Sequence, residues 1–225
     1  MIRWEQPGYL VAFTTRAGGV SDGVYDSLNL TAGTGDDPQR VAENRRLACE
    51  ATGVSHDRLS FNKQVHSTTV LRAGARGEHA DGLWSDTPGE AMLAMTADCL
   101  PVAIARTDGP RALAVLHAGW RGLAGGIAAA GVEALGGGTA AAIVGPAIGP
   151  CCYEVGPEVS ARFDDDLTRD GRLDLWTAAE RALARAGVEQ IERIDLCTRC
   201  HPELFFSHRR SGVARGAQGV VGALA

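Results

Sequence analysis

Residues 90–106 read EAMLAMTADCLPVAIAR. The run is apolar as far as the tetrapeptide Thr96-Ala97-Asp98-Cys99 and turns apolar again after it, as expected of two buried strands broken by a polar turn. After a second turn, TDGP, the segment RALAVLHAGWRG (111–122) is a further apolar strand that ends at His117. GLAGGIAAAGVEALGG (122–137) follows as a helix of small residues that must approach its neighbours closely.

Working outward, YLVAFTTR (9–16) predicts a strand, and DDPQRVAENRRLACEATG (36–53) predicts a helix with both ends marked. Asp36 or Asp37 is its cap, Pro38 sits in its first turn and Gly53 is its terminator. RLSFNKQVHSTTVLRAG (58–74) reads as two short strands or one bent one, and AAIVGPAIGPCCYEVG (141–156) as a strand running into a Gly and Pro loop. PEVSARF and 173–187 are helical, the latter with Leu175, Ala179, Ala182 and Leu183 on one face. VEQIERIDLCT is a late strand and GAQGVVGAL closes the chain. Strands and helices interleave without strict alternation, which predicts an α/β (α+β) fold: one layered domain over 1–225 with mixed β-sheets flanked by helices.

The charge balance, 22 Lys and Arg against 27 Asp and Glu, includes no basic run, so neither nucleic acid nor a membrane surface is the expected partner. A small molecule is. YLVAF is too short for a signal-peptide core and no stretch is long and apolar enough to span a bilayer, so a cytoplasmic protein is expected. In that compartment the six cysteines read as buried thiols, metal ligands or nucleophiles before disulfides.

Three residues stand at strand ends beside small or turn-forming neighbours: His66 in KQVHS, Cys99 in TADCLP and His117 in LHAGWRG. If they converge, two imidazoles and a thiolate make a tetrahedral set short of one ligand, the pattern of a catalytic zinc, which lowers the pKa of a bound water to about 7. Asp98 would orient that water or carry its proton. The same trio also fits a cysteine hydrolase, or a blue-copper centre with Met95 as axial ligand. For a multicopper oxidase, only His56, His79, His201 and His208 remain. Arg16 in TTRAGGVSDG, Arg121 in GWRGLAGG and Arg209 and Arg210 in SHRR are candidates for an anion such as phosphate. Trp120, Phe205 and Phe206 would stack on a flat ring or belong to the core.

CTRCH (197–201) spells the C-x-x-C-H of c-type haem attachment. The expected compartment argues against haem, and the stretch reads as an accidental match in a turn or an adventitious metal site on Cys197, Cys200 and His201. Cys151 and Cys152 are read as inert thiols packed beneath the GPCCYEVG loop.

At KQVHS, ADGLWSD, TADCLPV, LHAGWRG, GPAIGPCCYEVG and FFSHRRSG…RGAQG, with TTRAGGVS and SLNL near the start, the chain resembles the bacterial laccase-domain or polyphenol-oxidase-like family along nearly its whole length. Members of that family are described as purine nucleoside phosphorylases and, in places, as peptidoglycan editing factors. The resemblance implies a single domain of mixed sheets flanked by helices and one zinc on His66, Cys99 and His117. It also implies phosphorolysis of adenosine, inosine, guanosine and S-methyl-5′-thioadenosine to base and ribose 1-phosphate, with deamination of adenosine as a second reaction. Arg16, Asn29, Gln64, Arg121, Arg209 and Arg210 are then the substrate and phosphate candidates. The alternatives are a hydrolase of muropeptide precursors and a copper-dependent polyphenol oxidase. A monomer or small homo-oligomer is expected. Cys200 and His201 depart from the family's pattern and inherit no role.

Overall fold

A computed structural model describes residues 1–74 and 77–225. Strands β1 (Ile2–Trp4) and β2 (Tyr9–Phe13) lead through a long loop into helix α1 (Pro38–Thr52), capped by the Asp37 carboxylate on Gln39 N and ended by Gly53 at φ +88°. Then come β3 (Leu59–Phe61), β4 (Val70–Arg72), β5 (Gly82–Ser85), β6 (Ala91–Thr96), β7 (Leu100–Arg106) and β8 (Leu113–Ala118). Helices α2 (Trp120–Gly125) and α3 (Ile127–Ala134) precede β9 (Ala140–Val144), α4 (Pro157–Ser160), β10 (Thr168–Arg169) and β11 (Arg172–Leu173). The chain continues with α5 (Leu175–Arg185), β12 (Gln190–Arg193), α6 (His208–Ser211) and β13 (Gln218–Leu224).

One mixed sheet runs β1-β2-β13-β6-β3, the other β12-β9-β7-β8-β5-β4, and β10 and β11 form a small hairpin sheet. The strands either side of the polar turn therefore part company: β6 pairs with β13 and β3, β7 with β8 and β9. The turn at 96–99 is the crossover between the two sheets. Side-chain alternation shows what each face meets. On β7, Ala103 and Ala105 pack with Val11, Phe13, Met92 and Val220 of the opposing sheet, whereas Val102 and Ile104 pack under α3 and α5. Leu59, Leu93 and Val221 turn the outer face of the first sheet toward Ala48 and Cys49 of α1. The layers are thus helix, sheet, sheet, helices, which is why 91–105 is apolar almost throughout: both faces of both strands are covered.

Several boundaries differ from expectation. The small-residue segment is two helices, because Gly126 adopts φ +100° and ends α2 before α3 begins. Its closeness to the sheet is real: a Cβ on Gly131 would lie 2.9 Å from Leu116 Cδ1. The two short strands of 58–74 lie in different sheets, so His66 sits in the loop joining them and not at a strand end. The late strand is four residues long, since 194–200 leaves the sheet to follow the loop after β9.

Candidate active site and metal centre

Asp81, at the entry to β5, is 1% exposed, and its carboxylate organises the site. The loop Val65-His66-Ser67 wraps round it, donating three backbone N–H bonds of 3.1, 2.9 and 2.7 Å and the Ser67 hydroxyl at 2.7 Å. That wrapping holds His66 in the left-handed region at φ +61°. Asp81 Oδ1 also takes Nδ1 of His117 at 2.8 Å, leaving that ring's Nε2 for a ligand. His117 shares the inward face of β8 with Leu113 and Val115. Cys99 directly precedes β7 and follows Asp98, whose φ of +90° marks the sharp bend between the sheets.

These segments bring one ligand atom each from His66, Cys99 and His117 within 4.8 Å of one another. Cys99 Sγ lies 3.7 Å from His66 Nε2, close to the about 3.5 Å edge of a tetrahedron built from typical zinc–sulfur and zinc–nitrogen bonds. The space is kept by Gly119, where a Cβ would sit 2.5 Å from His66 Cδ2 and 3.1 Å from Cys99 Sγ. Burial opposes charge on Cys99, yet the flanking His117 and His66 imidazoles pull its thiol down to about 6. Burial equally opposes an imidazolium at His117, but the Cys99 thiolate and Asp81 push it up to about 9. Asp81 is held well below the ordinary carboxylate range despite its burial, by His117, Ser67 and Val65. A thiolate and two imidazoles, one oriented by a buried carboxylate, suit a borderline divalent metal.

The trio borders a cavity of about 510 Å³, a volume ordinary for small-molecule sites. Gln64 lines it, its amide pairing with both Met95 N (2.7 Å) and Met95 O (2.6 Å). The Met95 thioether lies 3.8 Å from the Arg45 guanidinium. Asn29 is fully buried and supports the wall from behind, bonding Asp36, Thr31 and Ala217 N. The other arginine candidates lie outside this cavity. Arg16 donates to the Asp26 and Pro202 carbonyls beside a separate depression. Arg121 folds over Trp120, Arg209 reaches Glu154 O, and Arg210 is spent on the carbonyls of Thr198, Arg199 and Phe205. Asp98 accepts from Thr198 Oγ1 and Arg209 N, both at 2.6 Å. Phe205 and Phe206 are core.

Four cavity residues escaped the sequence reading. Asn62 and Thr96 have side-chain polar atoms that are buried and make no hydrogen bond among the described residues, as does Arg215 at Nε. Arg45 stacks 4.0 Å over the Phe61 ring, and neither it nor Arg215 forms an ion pair among the described residues. Asp81 and Gly119 were also missed as site residues, although ADGLWSD and LHAGWRG contain them. A lone Arg in an amphipathic helix and an Arg in a Gly-rich turn carry no motif. Only the fold turns them inward.

A second cluster unites Cys151, Cys152, Cys197 and Cys200, again within 4.8 Å. Cys151 is exposed and Cys152 half-buried, so they do not pack beneath their loop as expected; the loop of 197–200 lies beside them instead. His201 turns to Glu203 at 3.2 Å. No helix among the described residues is long and apolar enough to cross a membrane.

A family model described as multi-copper polyphenol oxidoreductase laccase matches residues 10–224. The purine nucleoside phosphorylase PA4543 of Pseudomonas aeruginosa is 41% identical over 92% of this chain and 91% of its own. The purine nucleoside phosphorylase YfiH of Escherichia coli K12 is 39% identical over the same shares, 92% and 91%. Among solved structures, Neisseria meningitidis NMB0706 superimposes with a TM-score of 0.88 at 35% identity, covering 97% of this chain and 95% of that one. Sequence and fold agree, and the chain belongs to the multi-copper polyphenol oxidoreductase laccase family.

Proposed function

We propose that the protein is a zinc-dependent purine nucleoside phosphorylase that also deaminates adenosine. The observation that carries the reading is the charge equipment of the cavity beside the trio: two arginines, Arg45 and Arg215, line it without carboxylate partners among the described residues. Such groups are costly to bury unless a ligand completes them. Arg45 and Arg215 supply fixed positive charge for phosphate. The names carried by the relatives point the same way.

In phosphorolysis the C1′–N9 bond breaks, a phosphate oxygen bonds to C1′, and the departing base takes up a proton. Arg45 and Arg215 would hold the phosphate against C1′. His66, Cys99 and His117 would hold the zinc, which supplies a Lewis-acidic centre when bound. Asp98, accepting from Thr198 Oγ1 and Arg209 N, would hold the Cys99 turn in place. The trio's two imidazoles and one thiolate fit a single zinc better than a group of coppers. A cytoplasmic setting goes with these substrates. Zinc-loaded protein incubated with adenosine and phosphate is expected to release adenine and ribose 1-phosphate, with inosine alongside. Arg215→Ala should raise the KM for phosphate about tenfold or more, the loss of one charge-assisted contact. Absence of any free base from the wild type overturns the reading.

A further inference from the structure

We infer that Cys151, Cys152, Cys197 and Cys200 form a second metal site, an all-thiolate tetrahedral centre for a zinc-class divalent ion, which joins the loop after β9 to the loop after β12. The sheet prepares it. β12 runs parallel to β9 from Gln190↔Ala141 to Arg193↔Val144, and the pairing resumes beyond the strands at Ala147↔Cys197, where Thr198 N donates to Ala147 O at 3.0 Å. Both loops then turn tightly: Cys152 N donates to Gly149 O, and Cys200 and His201 N to Cys197 O. Each turn presents its thiols to the other.

The sulfur geometry is that of ligands. Cys200 Sγ lies 3.4 Å from Cys152 Sγ and 3.6 Å from Cys151 Sγ, near the about 3.8 Å edge of a tetrahedral zinc–thiolate centre. Those separations are far from the about 2.05 Å of a disulfide, and all the cysteines are free. Gly149 N donates to Cys197 Sγ at 3.3 Å, the kind of bond that supports a thiolate ligand. Packing does not account for the cluster, because Cys151 and Cys200 are exposed while an inert thiol is typically buried. The C-x-x-C of residues 197–200 is a spacing zinc sites use. On binding, each sulfur exchanges its proton for a bond to the metal, so one divalent ion displaces four protons. Thr198 lies between two of the ligands, and its hydroxyl holds Asp98, next to Cys99. A metal here thereby steadies the turn that carries a ligand of the first centre.

The full chain, purified under reducing conditions and supplied with zinc, is examined by native mass spectrometry and elemental analysis. Two ions per chain are expected in wild type. Cys200→Ser and Cys151→Ser, both at exposed positions, should each retain one, as should Cys99→Ser; Cys99→Ser/Cys200→Ser should retain none. Cobalt substitution should give a thiolate charge-transfer band that falls steeply in Cys200→Ser and only modestly in Cys99→Ser. Metal content in Cys200→Ser equal to that of wild type overturns the site. So does a Cys152–Cys200 disulfide whose reduced form takes up no metal, which would identify a redox pair, and so does iron–sulfur absorption in the isolated protein. The readout is metal, so it stands apart from whether the first centre acts on purines.

Discussion

His66, Cys99 and His117 come from three separated stretches of chain and border a cavity, whereas Cys151, Cys152, Cys197 and Cys200 come from two loops at the surface. The first trio is oriented by a carboxylate that is itself saturated with donors, and it leaves room for a further ligand. The cysteine cluster has four like donors and, among the described residues, no carboxylate bonded to its sulfurs. Reactive and structural roles for a metal diverge along these lines: three ligands and an open side serve chemistry, four ligands close the shell and serve stability. The same chain thus positions the two kinds of centre by different means, a buried network in one case and a pair of turns in the other.

The largest expected effect is that of Gly119→Ala. Its Cβ would take the space between His66 and Cys99, so metal affinity at the trio should fall by more than the roughly 100-fold cost of losing an outer partner. Binding at the cysteines should not change, and titration with a chromogenic chelator reads both. Asp81→Asn replaces one accepting oxygen by an amide that cannot accept from His117 or the 65–67 backbone. A loss of about 10–100-fold in affinity at the trio is expected, with unfolding easier by about 1–3 kcal/mol. Equal losses at both centres in this variant would break the distinction. Thr198→Val removes the 2.6 Å bond to Asp98, one of about 1.5–3 kcal/mol when made to a charge. Metal content should stay at its wild-type value while turnover falls. Arg210→Lys substitutes a point charge for the fork on the Thr198, Arg199 and Phe205 carbonyls; a cost of about 1 kcal/mol predicts a melting shift of about 2–4 °C. Its metal affinity should weaken only at the cysteines.

The layered fold, the capped helix at 38–52 and the buried strands around 96–99 were legible because apolar period and end signals are local. Those features do not say which sheet a strand joins. That β6 and β7 separate depends on pairings with β13 and β9, more than a hundred and about forty residues away in sequence. The trio was legible as residue types but was joined only by the family resemblance. Arg45 and Arg215 were not legible at all, because a guanidinium acquires meaning only when the fold turns it to a cavity and gives it no carboxylate among the described residues. Of the arginines singled out, Arg16, Arg209 and Arg210 bond carbonyls of their own chain and Arg121 lies over Trp120. CTRCH matches a local pattern whose meaning depends on distant chain: its second cysteine finds partners in a loop about fifty residues earlier.

The crossover at 96–99 has a mechanical consequence. Met95 and Thr96 bring one sheet to the cavity wall and His117 brings the other, so a molecule seated there touches both at once. It resists sliding of one sheet over its neighbour in the way a dowel resists shear. Occupancy at a hundred times Kd stabilises a folded state by about 2.7 kcal/mol. Here that gain should appear as slowed amide exchange in β6 and β13 as much as in β8, although only a few residues of each meet the ligand.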